Sequence, residues 1–140
     1  MGCYCGARNV YWTMKHHILL PLIFICLLIS CRENKLDGKV RKIQCQYIAW
    51  ACDCAHWATL EDRKKYERGN PDTFAAHCIY MEPADTSLDI PFGSIEDVVE
   101  FTGQFYKDKG FPKGYHSQEM PDKARVFRYT SCRVRRGGKR

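Results

Sequence analysis

VVEFTGQFY, the run from Val98 to Tyr106, decides the fold of this chain: it is rich in β-branched and aromatic residues and carries a glycine near its middle. Such side chains suit the pleated, half-buried surface of a strand. Gly103 inside the run predicts a bulge or a sharp coil, the feature that lets a strand bend within a sheet. Working outward, residues from Ile43 to Ala49 alternate, with Ile43, Cys45, Tyr47 and Ala49 on one face and Gln44 and Gln46 on the other. That is the two-residue period of a strand with one buried face. Further strands are expected at His77 to Glu82 and at Ala124 to Val134. Turn residues separate them: Gly69-Asn70-Pro71, Glu82-Pro83, Pro91-Phe92-Gly93 and the stretch from Lys109 to Gly114. One helix is expected from Leu60 to Glu67, with Thr59 as its N-cap and Asp62 in the capping-box position. The expected fold class is therefore mainly β: a small antiparallel barrel or rolled sheet, OB-like, with at most one short helix in the domain.

Upstream, MKHHILLPLIFICLLISC from Met14 to Cys31 has a different character. Its apolar stretch, Ile18 to Ile29, follows Lys15, His16 and His17 and is about a dozen residues long, short of the roughly 20 needed to span a bilayer. It reads as the apolar region of a signal-peptide helix. The closing Leu28-Ile29-Ser30-Cys31 resembles the lipobox of bacterial lipoproteins processed by signal peptidase II: a branched aliphatic, a tolerant position, a small residue, then cysteine. The resemblance implies lipidation at Cys31 and cleavage before it, hence a lipid anchor in a bacterial membrane, inner or outer, and a cell-envelope location, periplasm-facing or on the surface. A lipobox followed by one small barrel also resembles small envelope lipoproteins of Gram-negative bacteria. The expected organisation is residues 1–13 as an upstream extension with translation starting at Met14, 14–30 as signal peptide, 31–38 as tether, 39–134 as a single β domain and 135–140 as a basic tail.

Cleavage before Cys31 would leave a chain near the size at which a core alone gives marginal stability, so covalent staples are expected. The full chain carries a net charge of +6. Arg133, Arg135, Arg136, Lys139 and Arg140 cluster at its end, and without them the segment from Cys31 to Cys132 is close to neutral. The basicity belongs to a tail rather than to a binding face; such a tail resembles a nucleic-acid patch by composition, but an exported protein rarely meets nucleic acid, so no nucleic-acid partner is expected.

Beyond the leader and Cys31, the cysteines are Cys45, Cys52, Cys54, Cys78 and Cys132. In an oxidising compartment all five are disulfide candidates, giving at most two bridges with one thiol left over. Cys52 and Cys54, separated by one residue, are a poor geometric match for each other. The expectation is that the Trp50 to Trp57 segment bonds outward to Cys78 or Cys132. The alternative is a copper or zinc site, because an extended backbone would project Cys52, Cys54 and His56 to one side, with His77 or Cys78 as a fourth ligand.

Aromatic residues are numerous for so small a domain, and OB-like barrels use such residues as stacking platforms. Trp50, Trp57, Phe111 and Tyr115 are the expected binding surface, the last two on the long loop from Lys107 to Met120. G-x-S-x-G, H-E-x-x-H and a phosphate-cradling glycine loop are all missing from the sequence, and catalysis is not expected. The sequence reading is a noncatalytic, disulfide-stabilised domain at the envelope that binds a glycan or a protein and needs no cofactor, with copper or zinc binding as the rival.

Overall fold

The structure is a computed structural model and describes residues 35–91 and 93–135. The expected signal peptide, Cys31 and residues 136–140 lie outside the described residues. The described residues form the strands β1 (Arg41–Tyr47), β2 (Trp57–Thr59), β3 (Ile79–Pro83), β4 (Val98–Phe105) and β5 (Arg125–Arg135), with helices α1 (Leu60–Tyr66) and α2 (Pro71–Ala75) between β2 and β3. The strands close into a barrel in the order β1-β2-β3-β5-β4, with β4 returning to pair with β1. This is the small OB-like barrel expected from the strand pattern.

All pairs are antiparallel except β3 and β5, which run parallel from Ile79↔Arg125 to Pro83↔Tyr129. The expected antiparallel barrel holds for four of the five pairs and is corrected at this one for a topological reason. A closed ring with an odd number of strands cannot alternate direction all the way round, so at least one neighbouring pair must be parallel. The chain makes the same choice with its connections, because parallel neighbours need a long crossover. β3 reaches β5 only after the chain has passed through β4.

The glycine in VVEFTGQFY does what its position predicts. The β4–β5 register shifts between Thr102 and Gly103, a bulge. A Cβ built on Gly103 would stand 2.1 Å from the Arg128 carbonyl oxygen and 2.7 Å from the Tyr129 Cα. The two backbones meet so closely there that no side chain fits.

Alternation sorts the apolar residues into two cores. Cys45, Trp57, Ile79, Val99, Phe101, Phe127 and Tyr129 form one buried cluster, against which Ile43 and Tyr47 pack, as the β1 pattern predicts. Their strand neighbours Ala58, Tyr80 and Val126 belong to a second cluster with Phe74 of α2, Ala55, Cys78 and Ala124. The second cluster is roofed in part by Trp50, Tyr106, Phe111 and Tyr115. The loops around the barrel are therefore built onto its outer wall rather than hung from its ends.

The helices add a second correction. α1 starts as expected, with the Asp62 N–H donating to Thr59 Oγ1 at 3.0 Å. The Asn70-Pro71 expected as a turn also starts α2: the Asn70 side chain accepts from the Asp72 N–H at 2.8 Å and Pro71 takes the first helical turn. Two further boundaries move. The tether expected over 31–38 is paired to the barrel in its described part, where Leu36 bridges Tyr106, the Asp37 N–H donates to the Phe105 carbonyl and the Lys107 N–H to the Lys35 carbonyl. The tail also begins later than its charge suggested. Arg133 and Arg135 are strand residues whose guanidinium groups lie 2.6 and 2.8 Å from the buried Glu100 carboxylate.

Candidate functional site

Two loops meet on the barrel wall. The β1–β2 loop, residues 48–56, contains Trp50, Cys52, Asp53, Cys54 and His56; the β4–β5 loop, residues 106–124, contains Phe111, Tyr115, His116, Ser117 and Glu119. These are the two segments that the sequence singles out, and the fold brings them together.

Asp53 is the joint. Its N–H donates to Glu119 Oε2 at 3.1 Å, its carboxylate accepts from the Ser117 hydroxyl at 2.8 Å, and its carbonyl accepts from the hydroxyls of Tyr115 and, at 3.3 Å, Tyr80. One residue thus uses its donor, its carbonyl and its side chain to tie the loops to each other and to β3. The Tyr80 hydroxyl is pushed upward in pKa by burial first, and then by its hydrogen bond with Tyr115. Its neutral, hydrogen-bonded form is the one the fold needs.

The β1–β2 loop also has an internal brace. His56 Nδ1 lies 2.8 Å from the Ile48 carbonyl and Nε2 lies 2.9 Å from the Cys52 carbonyl, while its ring stacks on Tyr47 with centroids 5.1 Å apart. On the other loop, Glu82 of β3 accepts from the Tyr106 hydroxyl and from the Lys113 N–H at 2.8 Å. Glu82 is buried, so these donors satisfy a carboxylate that would otherwise be costly to enclose.

Between the loops lies an aromatic cleft of about 260 Å³, with Tyr47, His56, Tyr80, Tyr115 and His116 in its walls and Asp53 at its edge. Phe111 stacks on Tyr115, the centroids 4.9 Å apart and the planes within 9°, so that the Tyr115 ring is held flat against the loop behind it. Tyr80 meets Tyr115 at 5.4 Å in a tilted arrangement. A second, larger cleft of about 790 Å³ opens beside Cys52 and Cys54 and reaches Ala124 and Met120.

The expected binding residues divide between surface and core. Phe111 and Tyr115 are both half-buried; Tyr115 lines the cleft and Phe111 stacks behind it. Trp57 is a core residue that also borders the cleft: it packs edge-on against Phe101 at 5.2 Å, because its place at the start of β2 turns it into the barrel. Trp50 is half-buried against Phe74 of α2, and its indole nitrogen is enclosed without a hydrogen-bond partner of normal geometry. Tyr80 and Asp53 were not singled out. Tyr80 alternates with Ile79 in a strand, and that alternation was the signal that could have placed it outside the barrel.

The cysteines overturn the expected pairing. Cys52 and Cys54 are bonded to each other, while Cys45, Cys78 and Cys132 are free. The bend of the chain at residues 51–54 brings the two Cα atoms to 5.3 Å, inside the range a bridge requires, so the proposed outward bridges to Cys78 or Cys132 do not form. Burial pushes the thiols of Cys45 and Cys78 up, which keeps them protonated and inert. The Cys132 thiol is pushed up as well, by partial burial and then by Asp89, whose carbonyl accepts from it at 3.3 Å.

The expected metal set is also taken apart. Two of its sulfurs are in the disulfide, both ring nitrogens of His56 face carbonyl oxygens, His77 stacks on Tyr66 at 3.9 Å, and the Cys78 thiol donates to the Phe74 carbonyl. Among the described residues no three His, Cys, Asp or Glu side chains are gathered to hold an ion.

Comparison with protein-family models, with curated proteins and with solved structures finds no match to this chain.

Proposed function

We propose that this chain is a lipid-anchored protein of a bacterial cell envelope whose barrel domain binds a ligand without transforming it, and that the ligand is an oligosaccharide held in the aromatic cleft. The observation that supports this reading is the joining of the β1–β2 and β4–β5 loops through Asp53 around the faces of Tyr47, Tyr80 and Tyr115. In OB-like barrels these two loops flank the face that takes oligonucleotides and oligosaccharides. Aromatic faces accept the apolar faces of sugar rings, while His116 and the Asp53 carboxylate offer the polar groups that hydroxyls require. The lipobox reading favours a saccharide over a nucleic acid, because it sends the domain to the envelope.

The test has two arms. Titrating soluble β-linked N-acetylhexosamine oligomers into the labelled protein should move the NMR signals of Tyr80, Tyr115 and His116, and Tyr115→Ala should weaken binding at least tenfold. If no saccharide moves these signals while a photo-crosslinker at position 115 captures an envelope protein, the ligand is a protein instead. The anchor is read separately: mass analysis of the processed amino terminus should find a diacylglyceryl group on Cys31, lost in Cys31→Ser.

A further inference from the structure

We propose that the Cys52–Cys54 disulfide is a reactive group: it oxidises a pair of cysteine thiols on another polypeptide by thiol–disulfide exchange. The first argument is that it has little to do as a brace. A disulfide stabilises mainly by closing a loop in the unfolded chain, and the gain grows with loop length. Only Asp53 lies between these two cysteines.

The loop is already held without the bond. Asp53 is tied to Glu119, Ser117, Tyr80 and Tyr115, and His56 sits against the carbonyls of Ile48 and Cys52. Opening the S–S bond therefore leaves the two sulfurs side by side, so the exchange is reversible and a mixed disulfide has a resolving thiol at hand.

Access is the third argument. Cys52 is exposed and Cys54 half-buried, and both line the cleft of about 790 Å³. That space is far larger than a small thiol needs. Met120, completely exposed, stands on the same cleft and offers an apolar contact to an incoming chain. Lys109 and Lys123 stand there against Asp72, Glu119 and Asp122, so the rim carries charges of both signs with one negative charge in excess. The buried Cys45 and Cys78 are shielded from the same chemistry, and the half-buried Cys132 thiol is engaged with the Asp89 carbonyl.

In the first step a partner thiolate attacks the exposed Cys52 Sγ. The S–S bond breaks, a mixed disulfide forms between the partner and Cys52, and Cys54 leaves as a thiolate that takes up a proton. The partner's second thiolate then attacks its own sulfur in the mixed disulfide, which releases Cys52 and closes the partner's disulfide. Two electrons and two protons pass from the partner's dithiol to Cys52 and Cys54.

The experiment uses the full chain in detergent, oxidised, with a reduced peptide bearing Cys-x-x-Cys, quenched in acid and read by mass. The protein should gain two hydrogens, mapped to Cys52 and Cys54, and the peptide should lose two. The rate per thiolate should exceed that for dithiothreitol at least tenfold and should fall to parity in Met120→Glu. Given a Cys-x-x-Ser peptide activated as its mixed disulfide with thionitrobenzoate, Cys54→Ser should accumulate a stable peptide disulfide on Cys52, with thionitrobenzoate as the leaving group. Survival of the Cys52–Cys54 bond in the presence of the peptide, parity between the two reductants in the unaltered protein, or no mixed disulfide in Cys54→Ser would each overturn the proposal. Saccharide binding by the aromatic cleft is independent of all these outcomes.

Discussion

At Gly103 a single missing side chain permits the barrel to close. A methyl group there would collide with the backbone of Arg128 and Tyr129, atoms that cannot rotate away as a side chain could. Gly103→Ala should therefore destabilise the domain by about 3 kcal/mol, the upper range for overpacking, read as a shift in the urea midpoint. A neutral outcome would mean that β4 and β5 slide apart at the bulge at no cost. The thiols give a second residue-scale expectation. Cys45 and Cys78 are enclosed in separate cores and their titration is pushed up by burial, so a water-soluble disulfide reagent should label neither at pH 8 until the protein unfolds. Gly103 was legible in the sequence because a glycine interrupts an otherwise β-forming run. The Cys52–Cys54 bond was not, because residue spacing does not reveal the bend at residues 51–54 that brings the sulfurs together.

Among the elements, the long strands could be read and the short pieces could not. β1 shows its period over seven residues, whereas β2 has three, too few for any alternation to be visible. α2 was hidden for a different reason: Asn and Pro serve turns and helix starts alike, and a five-residue helix leaves no periodic face by which to choose. Loop pairing was the least legible, since the bonds between the β1–β2 and β4–β5 loops join residues more than sixty apart. Their strength can be tested at Tyr115, whose hydroxyl donates to the Asp53 carbonyl while its ring stacks on Phe111. Tyr115→Phe keeps the ring and loses the donor. It should cost about 1 kcal/mol of stability and speed proteolytic nicking within residues 48–56. Unchanged nicking would mean that Ser117 and Glu119 suffice to hold the loops.

For the molecule as a whole, pH should limit stability from both sides. On the acid side, burial works to raise Glu100, but hydrogen bonds from Arg133 and Gln44 and the charges of Arg133 and Arg135 outweigh it and hold the carboxyl below its ordinary value. Asp37, Glu67 and Asp85 are lowered too, Asp37 and Asp85 chiefly by backbone N–H donors and Glu67 by Arg63. A depressed native pKa means that the unfolded state binds protons first, so stability is intact above the ordinary carboxylate pKa of about 4.3 and falls as pH drops through it. Glu100 joins three strands, through Gln44 of β1 and Arg133 and Arg135 of β5, so Glu100→Gln should flatten the acid limb more than Glu67→Gln at the C-cap of α1. On the alkaline side the sign reverses. Burial first, and then Glu82 for Tyr106 and Cys132 and Asp89 for Tyr129, push these two hydroxyls up to about 12, and Tyr80 is raised as well. Because the raised native pKa favours the neutral form, their contribution is complete below the unfolded tyrosine value of about 10 and is lost as pH climbs toward the native one. Absorbance at 295 nm should therefore show a second, late stage in which Tyr80, Tyr106 and Tyr129 ionise only with unfolding. Tyr106→Phe should remove part of the second stage and weaken the tie from Glu82 to the β4–β5 loop. A single transition near pH 10, with the circular dichroism of the barrel unchanged, would show that these hydroxyls reach water without opening the fold.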